Sequence, residues 1–193
     1  PAKVAVVSSG IIGSITGSSA ANAVATGAYT IPLMKKTGYK PHVAAGVEAA
    51  ASSGGQMLPP VMGAGAFLLA TFTEMPYVDL IKIAAIPAVL YFFSVGWMVH
   101  FIAGREGLKG LPKEKLPKLK TVILKQGYLL LPVVVILVLL ILRYSPQKAA
   151  FGAIISTIAL SYVKKETRLG PRKLLDTLIL AARNSLVVGA TAG

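Results

Sequence analysis

The apolar positions of this chain fall into long uncharged stretches, separated by short charged ones. Val4 to Met34 carries no formal charge over 31 residues. It is rich in Gly, Ser, Ala and Thr, with Gly13-Ser14-Ile15-Thr16-Gly17-Ser18-Ser19 near its middle and Lys3, Lys35 and Lys36 at its ends. One membrane helix needs about 20 residues, so this stretch is long for a single span. It predicts a re-entrant hairpin over 1–34: two short helices that dip in, meet at a Gly/Ser tip and return on the same side. Non-helical backbone at membrane depth is tolerated only where protein or a polar cavity satisfies it, so the tip is expected to line a site.

A second uncharged stretch, Ala49 to Thr73, is interrupted by Ser52-Ser53-Gly54-Gly55 and then by Pro59-Pro60. It predicts a discontinuous helix over 43–73. Ile83 to Gly104 reads as a plain span, with Pro87 as a possible kink. Gln126 to Leu142 is the most apolar run, with Tyr128 and Tyr144 as interface anchors. Ala149 to Val163 is short but can be lengthened by a snorkelling Lys148. Leu174 onward begins a further helix. The parts are then a hairpin (1–34), a broken helix with the span after it (43–104), a basic linker (105–125) and a further set of membrane helices (126–193). Within the linker, Leu116, Leu119, Val122 and Ile123 lie at helical spacing among lysines. They fit an amphipathic helix on the membrane surface or, equally, a solvated linker broken by Pro112 and Pro117.

Composition removes the soluble alternatives. Hydrophobic residues are 54% and charged residues 14%, against about 25% charged in soluble domains. Mean hydropathy is +0.69. The class is an all-α integral membrane protein. There are no cysteines and two histidines, His42 and His100, which leaves little for a thiolate or imidazole metal site. The net charge of +13 would suggest nucleic acid in a soluble chain. Here 15 of the 20 Lys and Arg sit in 35–40, 105–125 and 164–173, as the positive-inside rule expects of cytoplasmic loops. The loop 74–82, with Glu74, Asp79 and Lys82, is net acidic and belongs outside. Nucleic acid is not an expected partner; the lipid bilayer is. The first residue is Pro, and the chain reads as an internal piece of a larger protein.

Two places combine small residues, hydroxyls and a broken helix: Gly17 to Asn22, and Ser52 to Gln56 ahead of Pro59-Pro60. Breaking a helix in a membrane frees carbonyls at one half-helix end and N–H groups at the other. Carbonyls with Ser and Asn oxygens suit a hard cation such as Na⁺, and half-helix N-termini attract a carboxylate. Small-xxx-small helix packing competes as an explanation of Gly13 and Gly17, as does a ligand-free kink for Ser52–Gly55. No Lys follows Gly17, so a phosphate loop is excluded. Glu48 precedes the second break. It is either a proton or ion site or, more commonly, an interfacial carboxylate paired with Lys35 or Lys36. Asp176 and Arg183 share a helix face and read as structural partners of neighbouring helices.

The run from Ser8-Ser9-Gly10 through Gly13–Gly27 to Ile31-Pro32-Leu33-Met34-Lys35-Lys36, then Glu48-Ala49, Ser53-Gly54-Gly55-Gln56 and Pro59-Pro60-Val61-Met62-Gly63, resembles the large membrane subunit of tripartite ATP-independent periplasmic (TRAP) transporters. It is most similar to the fused permeases that work with TAXI-type binding proteins. Lys165–Lys173 and Ala182-Arg183-Asn184 fit the same group.

The resemblance implies an elevator-type transporter of two inverted repeats in a bacterial or archaeal cytoplasmic membrane. It would import an organic acid with sodium. Its partners would be a TAXI-type periplasmic binding protein and the rest of the same permease chain. The expected sodium ligands are Ser18, Ser19, Asn22, Ser52, Ser53, Gly54 and Gly55; the solute is expected at Ser19, Asn22, Gln56, Pro59 and Pro60. No cofactor beyond the coupling ion is expected. The alternative is a structural membrane subunit that packs through glycines and binds no solute. A membrane enzyme is remote, since no cluster of acid, base and nucleophile is visible.

Overall fold

The structure is a computed structural model that describes residues 2–108, 110, 127–163 and 168–192. The basic stretch 111–125, expected as an amphipathic helix or a solvated linker, lies outside the described residues. Every regular element described is helical: α1 (Ala2–Thr16), α2 (Ser19–Lys36), α3 (Pro41–Gly55), α4 (Ala64–Phe72) and α5 (Tyr77–Arg105), then a 3₁₀ turn (Gly127–Leu130), α6 (Leu131–Ile141), α7 (Pro146–Ser161) and α8 (Pro171–Ala192). The chain divides into two compact units, Pro1–Lys118 and Leu119–Gly193.

In the first unit, α1 and α2 form a helical hairpin, and both pack on α3. The break between them is set locally. Gly17 has φ +64°, a left-handed conformation that costs glycine nothing, and Ser18 caps α2 by accepting from Ala21 N at 3.3 Å. At the other end α2 stops at Lys36, where Thr37 bonds back to Met34 O through both its N–H and its hydroxyl. Pro41 then starts α3 at a position where a missing N–H costs nothing.

Apolar packing beneath the hairpin is small: Ala2, Ala5 and Val6 meet Met34, Ala44, Val47, Ala51 and Val99. Glycines bring the backbones close. A Cβ at Gly55 would lie 2.7 Å from the Gly13 Cα, one at Gly13 2.8 Å from the Gly55 Cα, and one at Gly54 2.3 Å from the Tyr91 ring. Ser52, Ser53, Gly54 and Gly55 are therefore not a break. They are the last turn of α3, held helical by packing that outweighs the poor helix propensity of glycine. The interruption comes later, over 56–63.

α5 is also longer than the expected span. It runs 29 residues, about 43 Å, against the roughly 30 Å of a bilayer core. Asp79 and Lys82, expected in a loop, sit on its first turns and pair at 2.8 Å. Among the described helices α5 is the one long and apolar enough to cross a membrane by length and composition. Ile86, Leu90, Phe93, Met98 and Phe101 are exposed along it, as expected of a helix facing lipid or further helices.

In the second unit, α6 and α7 pack on each other. Gly152 lets Leu139 and Val135 approach. The turn between them places Arg143 at φ +60°, and Ser145 caps α7 through Lys148 N.

Candidate functional site

The hairpin turn lies against the segment that separates α3 from α4. The Ser14 carbonyl accepts from both Val61 N and Met62 N at 3.2 Å. A Cβ on Gly17 would come within 2.4 Å of the Met62 carbonyl oxygen, and one on Gly63 within 3.2 Å of the Gly17 carbonyl oxygen. Gly63 N bonds back to Gln56 O at 2.8 Å, closing the segment into a compact loop. Tyr77 of α5 donates to the Val61 carbonyl at 2.5 Å, and Phe67 of α4 stacks on the Tyr77 ring at 4.9 Å. The two interruptions therefore meet, but through Ser14–Gly17 and Val61–Gly63 rather than Gly17–Asn22 and Ser52–Gly55.

One to two turns along the helices lies a buried polar cluster. Glu48 is 1% exposed. Its Oε1 accepts from Ser9 Oγ of α1 at 2.9 Å, from Ser52 Oγ at 3.1 Å and from Thr26 Oγ1 of α2. Its Oε2 accepts from Thr30 Oγ1 at 2.5 Å. Four hydroxyls on three helices thus face one carboxylate. The spacing explains how: Asn22, Thr26 and Thr30 repeat every four residues on one face of α2, and Glu48 and Ser52 do the same on α3. No ion pair to Glu48 occurs among the described residues. Lys35 and Lys36 are exposed, so the expected pairing with them is not made.

Asn22 closes the cluster toward the hairpin turn. Its Nδ2 donates to the Ser9 carbonyl at 2.9 Å, and lies 2.9 Å from Ser9 Oγ and 3.2 Å from Ser52 Oγ. A carbonyl only accepts, so the Ser9 contact fixes which end of the amide faces α1. Asn22 is 0% exposed, yet its Oδ1 has no hydrogen-bond partner. Such a buried orphan oxygen is uncommon and calls for an explanation, an ion among them.

The expected sodium residues are thus only partly brought together. Asn22 and Ser52 meet, but Ser52 Oγ is already engaged by Glu48. Ser18 and Ser53 are exposed and Ser19 is half-buried. Gly54 packs under Tyr91, and Gly55 against Gly13. Of the expected solute residues, Asn22 is sealed inside, Pro60 is buried, and Gln56 and Pro59 are half-buried in the loop. Asp176 and Arg183 are exposed on α8. No group of three or more His, Cys, Asp or Glu capable of holding a metal occurs among the described residues. The sequence reading missed Ser9, Thr26 and Thr30. Their signal was the four-residue polar repeat on α2.

The profile of the family described as "Tripartite ATP-independent periplasmic transporter, DctM component" matches residues 1–193. The chain is also similar to a Sinorhizobium fredii protein described as uncharacterized protein y4mL, with 30% identity over 163 residues. That match covers 83% of this chain and 38% of the relative, so the chain spans well under half the length of the curated relative it matches. No solved structure matches.

Proposed function

As the chain belongs to the DctM component family of tripartite ATP-independent periplasmic transporters, a membrane transporter component and not an enzyme, we propose that it forms part of a permease importing an organic acid with sodium. In this reading a periplasmic binding protein, of TAXI type on the resemblance of 8–63, delivers the solute to the complete permease in the cytoplasmic membrane. The observation that carries the reading is the docking of the Gly17–Ser18 turn on the 56–63 loop. It joins two helix interruptions at one place, the arrangement in which secondary transporters hold substrate and ion. A subunit made only for packing has no use for paired interruptions.

The sodium ion belongs beside the hairpin turn. Asn22 Oδ1 is the side-chain oxygen proposed for it, since it is buried and without a partner. Backbone carbonyls of the turn and the facing loop would supply the remaining hard oxygen ligands that an alkali cation needs. The solute carboxylate is proposed on the outer side of the same junction. There Ser19, Gln56 and Pro59 retain exposure, and α4 begins after Gly63, an N-cap position that supplies no side-chain cap. Helix N–H groups left free in this way favour an anion.

The test is solute uptake by the full-length permease with its binding protein, in proteoliposomes with and without a sodium gradient. Asn22→Leu is expected to raise the sodium concentration for half-maximal uptake about tenfold or more while insertion stays normal. Removal of one oxygen worth roughly 1.5–3 kcal/mol to a charge sets that scale. Unchanged sodium dependence would return Asn22 to a packing role.

A further inference from the structure

The carboxylate of Glu48 is not explained by sodium at the hairpin turn. It is buried, it faces hydroxyls only, and no cation among the described residues offsets it. A buried ion without a counter-charge is among the most expensive groups a protein can hold. The titratable groups on the elements packed around it are Lys3 on α1, Tyr29, Lys35 and Lys36 on α2, His42 on α3, and Tyr77, Asp79, Lys82, Tyr91, His100 and Arg105 on α5. None of them bonds to Glu48. Tyr91, on the neighbouring face, gives its hydroxyl to the Ala50 carbonyl at 3.0 Å.

The hydroxyls have second acceptors already in place. Thr30 Oγ1, besides facing Glu48 Oε2, lies 3.0 Å from the Thr26 carbonyl one turn back. Thr26 Oγ1, besides facing Oε1, lies 2.7 Å from the Asn22 carbonyl. A hydroxyl has one proton and two lone pairs, and it rotates. Ionised Glu48 accepts from all four hydroxyls. With a proton on Oε2, the new O–H donates to Thr30 Oγ1, and Thr30 turns its own proton to the Thr26 carbonyl. Oε1 keeps Ser9 and Ser52, and Thr26 is free to turn to the Asn22 carbonyl. Every donor and acceptor counted here is satisfied in both states, and no heavy atom has to move.

We propose that Glu48 is a proton-binding site: Oε2 takes a proton from aqueous hydronium, forming an O–H bond and leaving water, and returns it to water later in the transport cycle. The proposal rests on the transport reading for the use of that proton, not for its binding. It gives the α1–α3 unit a second exchangeable positive charge, separate from the ion proposed at Asn22.

The experiment is infrared difference spectroscopy of the full-length permease reconstituted in lipid, stepping pH without solute or binding protein. On acidification the wild type is expected to gain a buried carboxylic C=O band that shifts in D₂O, and Glu48→Gln is expected to lose it. A Glu48→Gln spectrum that keeps the whole band, or a wild type that never shows one, overturns the proposal. Thr30→Val retains Glu48 and keeps the test alive if the Gln variant does not fold. Its acid O–H has lost its acceptor, so the band is expected to move in frequency; an unmoved band overturns the cage as drawn. A carboxylate signal that answers to sodium at fixed pH, and not to pH, assigns the site to sodium instead. Should sodium-driven uptake fail while the Glu48 band persists, the transport reading falls and the proton site stands.

Discussion

The α1–α3 packing and the α6–α7 pair are both helices in contact through glycine, and both carry hydroxyls. They use them in opposite ways. In α7 the hydroxyls of Ser156 and Thr157 bond to the Ala153 carbonyl at 2.8 Å, within their own helix. Such local bonds satisfy the group wherever the helix goes and fix no partner. In α1–α3, Ser9, Thr26 and Thr30 reach across helices to one carboxylate, and Ser52 meets it from one turn further along the same helix. Thr26 and Thr30 also lie against carbonyls of their own helix, but the bonds of Ser9, Thr26 and Thr30 to the carboxylate exist only in one relative placement of three helices. The same residue types are filler in one region and register marks in the other. What separates them is a buried acceptor strong enough to outbid the local carbonyl.

That contrast can be broken most severely at its backbone contacts. Gly55→Leu puts a side chain where the Gly13 backbone already lies, 2.7 Å from the new Cβ. Neither backbone can yield, so the expected cost is about 3 kcal/mol or more, at the upper end of overpacking. Loss of a monodisperse full-length protein in size-exclusion chromatography is the readout. Gly152→Ala brings its Cβ to 2.6 Å from Leu139 Cδ1, the end of a mobile side chain, and is expected to cost under about 1 kcal/mol. Equal damage from both would remove the difference between the regions.

Next in size is the carboxylate itself. Glu48→Ala deletes the acceptor shared by four hydroxyls and leaves a hole, for an expected loss of roughly 2–4 kcal/mol in thermal unfolding of the full-length protein. Ser156→Ala, which removes a locally satisfied hydroxyl of α7, is expected to change stability by less than about 0.5 kcal/mol. Ser9→Ala sits between them at about 1 kcal/mol, the usual worth of one hydrogen bond.

The mildest test leaves stability alone and reads position. Single cysteines at Gly38 and Glu74, introduced into this cysteine-free sequence, are expected to label from opposite faces of intact cells, and cysteines at Lys3 and Gly38 from the same face. Labelling of Lys3 and Gly38 from opposite faces would turn the proposed re-entrant hairpin into a crossing.

Much of this could be read from the sequence, for reasons that can be named. Helices on either side of Gly17 follow from a long uncharged run with a flexible, hydroxyl-rich centre. The continuation of α3 through Ser52-Ser53-Gly54-Gly55 was not legible, because local propensity argues for a break there. What keeps the helix is Tyr91 and Gly13, 37 and 42 residues away from the glycines they meet. The start of α5 was hidden in the same way. Charges at Asp79 and Lys82 look like loop, but an i,i+3 pair is at home on a helix. Glu48 stood out as an isolated acid, and its cage did not, since its four hydroxyl partners come from three helices and only their union has meaning.

The close approach of Gly13 and Gly55 also has a mechanical consequence. Side chains between two helices act as bearings: they hop rotamers and let one rod roll or slide on the other. Here the backbones touch with nothing between them, and that bearing is missing. α1 and α3 are in effect welded at this point. A push on α3 reaches α1 without play, so the hairpin and its supporting helix travel as a single piston, and any moving joint must lie beyond them.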